Sequence, residues 1–237
     1  MRIVAYVYDF GHFKSSQGLY ALKRKGFDDV IAIAAPWRRL DIKESRFQFK
    51  TIDLSDGHRA GEICANLGYQ YVKAQHDSPH AVEAASECDY GIILGARVLS
   101  PLTVENAPPI INLHPGVLPL NRGLDTLKWA VHDGLPQAIT AHIIDEKIDR
   151  GKILKEKLVA VYEEDSYADI YNRMMWAQIN MISPYMFDWV SDVDGGKGIY
   201  RKPMTLEEDV LTKSRFSAYK HNYRGIMEGW YEHGRAA

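Results

Sequence analysis

Cysteine is scarce: two residues in 237, Cys64 and Cys88, neither in a C-x-x-C pair. That excludes a disulfide-stapled scaffold and any zinc-ligand spacing. It leaves two buried or half-buried thiols in a reducing compartment. Charge of one sign is equally lacking, with 29 Lys and Arg against 31 Asp and Glu and a formal net charge of −2. A nucleic-acid binder usually carries a basic face, so no nucleic-acid partner is expected. No run of ~18 apolar residues occurs, so no membrane partner is expected. The amino-terminal MRIVAYVYDF lacks the cationic start, long apolar stretch and small-residue cleavage site of a secretory signal. A cytoplasmic location is the resulting expectation. Internal repeats and low-complexity segments are also missing.

What is present is ordinary for a globular protein: 46% hydrophobic and 25% charged residues. The pattern predicts one large domain over 1–193 and a small carboxy-terminal appendage over 194–237. Apolar runs of strand length occur at 2–9, 29–35, 90–95 and 109–114, with a weaker one at 48–54. Helical patterns at 15–26 and 56–67, and a short strand and Ala-rich helix within 69–88, fall between them. Such alternation implies βαβ units and a Rossmann-like, mostly parallel α/β sheet flanked by helices. Further on, a helix is predicted over 123–134, strands over 138–145 and 152–161, and one long helix over 166–191, bent at Pro184. The apolar stripe Tyr167, Ile170, Tyr171, Met174 and Met175 on that helix reads as core. A Gly-rich turn, DVDGGKG, the basic-aromatic IYRKP at 199–203 and a final polar helix from about 206 complete the chain. IYRKP fits an edge strand and a substrate-lining segment equally well.

Open parallel sheets bind ligands at the carboxyl ends of their strands. The strand at 109–114 ends in Asn112 and His114, two residues apart, so both project to one face while Leu113 projects to the other. An amide donor beside an imidazole can hold an oxyanion. The turn after 138–145 carries Asp145, Glu146 and Asp149. Any one of these beside His114 would complete an amide, a base and an acid, a set suited to acyl-type transfer. Spacing alone does not choose among the three carboxylates. His142 reads as a packing or loop-anchoring residue.

The segment INLHPGVLPLNRG, a helix with Trp129-Ala130, and then HIIDEKIDRGKIL resembles the folate-dependent formyltransferase family. The matching residues are Asn112 and His114, Leu118-Pro119, Arg122-Gly123, and the run from Asp145 to Gly151. The resemblance covers about 90–165 and does not extend beyond 195. It implies that 10-formyl-tetrahydrofolate is the co-substrate and that no metal is needed. It implies catalytic roles for Asn112, His114 and Asp149, with Asp149 holding and polarising His114. The pterin would lie between the loop carrying Leu94, Gly95, Arg97, Val98 and Leu99 and the turn carrying Asp145 and Ile148.

The chain departs from the family at two places. Gly116 stands where many relatives have Ser, and is read as peripheral. DFGHFKSSQG at 9–18 replaces the Gly-rich turn with which the purine-pathway member holds a ribose phosphate. Lys14, Ser15 and Ser16 could still bind a phosphate there, or a serine could simply cap the helix. Arg122 is a further substrate-binding candidate. The family formylates different amines. A missing basic domain disfavours the initiator-tRNA acceptor, and a missing regulatory domain disfavours formyl-tetrahydrofolate hydrolysis. Glycinamide ribonucleotide is disfavoured by the altered turn. The expectation is therefore that the acceptor is the amino group of a nucleoside-diphosphate amino sugar and that the product feeds polysaccharide biosynthesis. A non-catalytic folate- or nucleotide-binding module is the reading from another class. An appendage on a small enzyme is compatible with a homodimer.

Overall fold

The computed structural model describes residues 1–38, 57–191, 193, 196, 198 and 200–233. The strand expected at 48–54 and most of the DVDGGKG turn lie outside the described residues. Five strands run parallel: β1 (Ile3–Tyr8), β2 (Val30–Ala35), β3 (Gln70–Lys73), β4 (Tyr90–Ile93) and β5 (Ile110–His114). Two more, β7 (Ala138–Ile143) and β8 (Ile153–Leu158), extend the sheet antiparallel beyond β5. The strand order is β3-β2-β1-β4-β5-β7-β8. From β1 the chain builds outward through β2 and β3, then returns to place β4 on the other side. The order reverses between β1 and β4, the kind of position where such sheets open a crevice.

Burial on both faces explains the near-continuous apolar runs. Ile3, Ala5 and Val7 of β1 enter one core layer, and Val4 and Tyr6 enter the other. The larger layer includes α1 (Phe13–Arg24), α2 (Ala60–Leu67) and α6 (Tyr167–Met181); α3 (Pro79–Ser86) and α4 (Pro101–Asn106) cover the opposite face. The same alternation governs β5. Ile111 and Leu113 join the larger layer and Ile110 the smaller, so Asn112 and His114 turn away from Leu113.

Several boundaries differ from expectation. The long helix ends at Met181, not 191. Ile182 takes an extended conformation (φ −63°, ψ 116°) and ends the helix, and Pro184 just beyond disfavours helix at Ser183, the residue before it. A single 3-10 turn, Met186–Asp188, follows. The helix expected from 123 starts later, as α5 (Thr126–Asp133), because Arg122–Gly123 forms a two-residue strand, β6. Its parallel partner is β9 (Tyr200–Arg201), so IYRKP supplies a strand. The final helix is two: α7 (Leu206–His221), opened by a Thr205–Glu208 capping box, and α8 (Tyr223–His233). Tyr219 and Tyr223 are buried in the larger core layer, and Tyr223 Oη donates to the Val159 carbonyl at 2.6 Å. Among the described residues no helix is long and apolar enough to cross a membrane.

Candidate active site

The antiparallel register sets Asn112 opposite His142 and His114 opposite Thr140. Asn112 Nδ2 lies 3.2 Å from His142 Nε2. His142 is fully buried, and that burial, with His114 adding to it, pushes its pKa well below the usual histidine range. A neutral imidazole has a lone pair to offer, so His142 Nε2 accepts one amide hydrogen of Asn112. The second amide hydrogen remains for a ligand. Sequence reasoning gave His142 a packing role; the register places it against the amide.

His114 is 3% exposed, and its Nε2 donates to the Asn121 carbonyl at 2.8 Å. That bond fixes a proton on Nε2. Nδ1 faces Asp149 Oδ1 at 3.5 Å, and the same oxygen is 3.8 Å from His142 Nε2. The other carboxylate oxygen of Asp149 accepts from the Gly123 amide at 3.0 Å. Asp149 has φ 52°, a left-handed conformation seldom adopted outside glycine, Asn and Asp. The competing carboxylates are placed otherwise. Asp145 Oδ1 accepts from the Lys147 amide at 2.9 Å, which closes the turn, and Glu146 is exposed. Of the three, Asp149 is the one beside His114.

The loop between β5 and β6 is built around this histidine. Thr140 Oγ1 donates to the Gly116 carbonyl at 2.6 Å, and Asn121 Nδ2 donates to the Thr126 carbonyl at 2.7 Å. Gly116 is not peripheral. A Cβ there would lie 2.7 Å from the Asn121 carbonyl oxygen and 3.0 Å from His114 Nε2. Glycine lets the chain close over the imidazole.

A cavity of about 420 Å³ opens in front of Asn112, within the size range of small-molecule sites. Gly95, Arg97, Val98 and Leu99 form one wall, and Asp145, Ile148 and Asp149 another. Val98 is 64% and Ile148 37% exposed, so each wall presents an apolar side chain to the cavity. Leu94 does not line this cavity. It is fully buried in the core and packs so closely on Gly18 that a Cβ there would lie 2.6 Å away.

On the far side stand His12, Lys14, Tyr171, Met175 and Gln178. Tyr171 and Met175 belong to the apolar stripe of α6, but they reach the cavity as well as the core. Lys14 Nζ donates to the Leu113 carbonyl at 3.2 Å. Ser15 and Ser16 are not placed for a phosphate. Both are 2% exposed, Ser15 Oγ donates to the Leu94 carbonyl, and Ser16 Oγ donates to the Phe13 carbonyl. The helix cap is His12, whose Nδ1 accepts from the Ser15 amide at 3.2 Å. Burial, with the nearby Lys14 charge, pushes the His12 pKa down to about 4, so that lone pair stays available. Arg122 also turns away from the cavity. Its guanidinium donates to the Gly198 carbonyl at 3.1 Å and to the Ile148 carbonyl, tying the acidic turn to the carboxy-terminal segment. Among the described residues no group of three or more His, Cys, Asp or Glu is placed to hold a metal ion.

A mostly parallel sheet with an amide, an imidazole and a carboxylate at one strand mouth makes this an α/β protein whose grouping of side chains suits acyl-type transfer. The comparisons narrow this. The model of the formyl transferase family matches residues 60–184, and the chain belongs to that family. It is 32% identical over 82 residues to the dTDP-4-amino-4,6-dideoxyglucose formyltransferase of Mycobacterium tuberculosis, a match covering 35% of this chain and 35% of that relative. The chain thus spans about a third of the length of that curated relative. The fold is similar to a sugar N-formyltransferase from a Shewanella species, with TM-score 0.60 and 20% identity over 91% of this chain and 87% of the other. It is also similar to phosphoribosylglycinamide formyltransferase from Bacillus halodurans, with TM-score 0.58 and 16% identity over 79% and 94%.

Proposed function

We propose that this protein transfers the formyl group of 10-formyl-tetrahydrofolate to the amino group of a sugar linked to a nucleoside diphosphate. The observation that carries the reading is the grouping of Asn112, His114 and Asp149 at the mouth of β5, beside a cavity with apolar walls. The folate ring would lie between the loop at 95–99 and the turn at 145–149. The free amide hydrogen of Asn112 would bond the oxygen that gains charge when the amine attacks the formyl carbon. His114, bonded on one side to the Asn121 carbonyl and facing Asp149 on the other, would present a fixed positive dipole and exchange a proton with Asp149.

The sugar acceptor is supported by the extent of the fold likeness. It covers 91% of this chain with the Shewanella sugar N-formyltransferase and 79% with the Bacillus glycinamide ribonucleotide enzyme. The loss of the purine-type turn agrees, since neither Ser15 nor Ser16 offers a free hydroxyl. The test is incubation with 10-formyl-tetrahydrofolate and a panel of nucleotide-linked amino sugars, following tetrahydrofolate release. Turnover on glycinamide ribonucleotide and on no sugar would refute the acceptor. Formate release without any acceptor would assign a hydrolase. His114→Ala and Asp149→Ala are each expected to lose most of kcat while still binding folate.

A further inference from the structure

Asp149, at φ 52°, has to be held from outside. A residue in a left-handed conformation keeps it only where its surroundings fix it on several sides. The acidic turn does little of this itself. The Asp145 carboxylate accepts from the Lys147 amide, but past Lys147 the turn makes no hydrogen bond within itself among the described residues. The hydrogen bonds on residues 148–150 come from two other stretches of chain. The Gly123 amide donates to Asp149 Oδ2, Arg122 donates to the Ile148 carbonyl, and Arg150 Nε donates to the Gly196 carbonyl at 3.2 Å.

Arg122 stands between the turn and the carboxy-terminal segment. It is 6% exposed and does not line the cavity. Its Nη2 donates to the Ile148 carbonyl, and its Nη1 donates to the Gly198 carbonyl at 3.1 Å. The far anchor is firm. A Cβ on Gly198 would lie 1.6 Å from the Pro119 carbonyl oxygen, so the two backbones touch directly. On either side of it, β9 pairs with β6 and the Ile153 amide donates to the Val193 carbonyl at 2.9 Å. The near end bears on the chemistry. The Ile148 carbonyl and the Asp149 amide belong to one planar peptide unit. Arg122 fixes that plane and Gly123 fixes one carboxylate oxygen. Between the two, Asp149 is held with Oδ1 facing His114 Nδ1 at 3.5 Å.

Resting on the functional reading above, we infer that Arg122 is a positioning residue for formyl transfer: by bridging the Ile148 and Gly198 carbonyls it aims the Asp149 carboxylate at His114. The segment around Gly198 then belongs to the catalytic scaffold, since it supplies the fixed end of the bridge. The bridge needs a guanidinium. Its terminal nitrogens diverge in one plane and reach two acceptors at once, whereas an ammonium is a single point on a flexible stem. Charge is present as well: burial disfavours the charged form of Arg122, and the Asp149 carboxylate supports it. Lysine keeps that charge without the span, so it separates the two effects.

The experiment compares Arg122→Lys and Arg122→Ala with the wild type, on 10-formyl-tetrahydrofolate and the amine the wild type accepts. With a positioning bridge, Arg122→Lys loses about 10- to 100-fold in kcat while KM for both substrates stays within about twofold. Guanidinium ion, at concentrations too low to denature, raises the kcat of Arg122→Ala by about tenfold or more and saturates, and methylammonium does not. A merely structural arginine would lower Tm without this rescue. If Arg122→Lys keeps half or more of kcat, or if guanidinium leaves a folded Arg122→Ala unchanged, the inference is overturned. A crystal structure of Arg122→Lys reads the geometry without any amine, and serves also where the alanine variant fails to fold. His114 Nδ1 and Asp149 Oδ1 are expected to stand about 1 Å or more beyond their native 3.5 Å; an unchanged separation overturns the inference. Failure of the wild type on every amine would instead refute the functional reading, and the crystallographic comparison would still decide the bridge.

Discussion

Gly123→Ala tests whether the two-residue strand β6 sets the position of Asp149. Gly123 has φ +91°, and a Cβ on it would lie 2.3 Å from the Arg201 carbonyl oxygen and 2.9 Å from the Tyr200 ring. A backbone carbonyl cannot rotate aside as a side chain would, so β6 must separate from β9. The left-handed conformation costs an alanine about 1–2 kcal/mol. Separation also removes the bond from the Leu124 amide to the Arg201 carbonyl, 3.0 Å long, and loosens its neighbours. A typical lost hydrogen bond adds about 1 kcal/mol. Alanine restricts the unfolded chain and returns roughly 0.4–1 kcal/mol. The net destabilisation is about 1–2.5 kcal/mol, or a drop in Tm of about 2–10 °C for a chain of this size. The Gly123 amide is also the donor to Asp149 Oδ2. Moving it turns the carboxylate away from His114, and misplacement of about 1 Å can cost ~100-fold in rate. Thermal unfolding and kcat are measured on the same preparation. Gly225→Ala is the control, because a Cβ there meets nothing within 4 Å on α8. It is expected to stabilise by up to about 1 kcal/mol. If Gly123→Ala matched the control in both Tm and kcat, β6 would have no part in holding Asp149.

Three further outcomes follow from the same geometry. Asp149→Asn is expected to fold normally, since Asn tolerates a left-handed backbone, while kcat falls about 100-fold through loss of the charge beside His114; unfolding curves and steady-state kinetics decide it. His142→Phe leaves the Asn112 amide unheld, and kcat should fall about tenfold with folate affinity unchanged, read by equilibrium titration beside the assay. Asp165 is 5% exposed, and burial acts to raise its pKa, yet two bonds from Arg173 at 2.7 and 2.9 Å lower it overall. A lowered folded pKa gives stability that is complete above the ordinary carboxylate range and is lost as pH falls through the folded value. Arg173→Met should therefore cost about 1–3 kcal/mol at pH 7, less than a fully buried pair because Arg173 is partly exposed, with a smaller difference at pH 3 in urea midpoints.

The parallel half of the sheet was legible because each strand is buried on both faces and reads as an unbroken apolar run. The placement of Asn112 and His114 on one face was legible for the same local reason, period-two alternation on β5. Helix α4 went unread although Ser100-Pro101 is a clear start, with Ser100 Oγ accepting from the Thr103 amide. The end of α6 was misplaced because apolar residues continue past Met181, and periodicity does not register the backbone turn at Ile182. Non-local pairings were out of reach. Nothing near Arg122-Gly123 announces a partner at Tyr200-Arg201, nor shows that the arginine spans from Ile148 to Gly198. Read locally, a basic residue beside a catalytic motif suggests substrate binding. Ser15 and Ser16 misled in the same way, since whether a helix-start hydroxyl is free depends on the Leu94 and Phe13 carbonyls that claim it.

The two sides of the cavity also differ in how they are encoded. The walls proposed to face the folate are two short continuous segments, 95–99 and 145–149, so their spacing survives in the sequence as a motif. The opposite wall is assembled from His12 and Lys14 at the start of α1 and from Tyr171, Met175 and Gln178 on α6, more than a hundred residues later. The packing of α6 against α1, β5 and β7 in the larger core layer brings them together. No spacing rule links them, and each has a sound alternative reading as core, cap or surface. A family can therefore keep its formyl donor while the acceptor wall drifts residue by residue, with no change in the donor motifs. For that reason Lys14 and its α6 neighbours, rather than the Asn112–His114–Asp149 set, are where the choice of amine should respond to substitution.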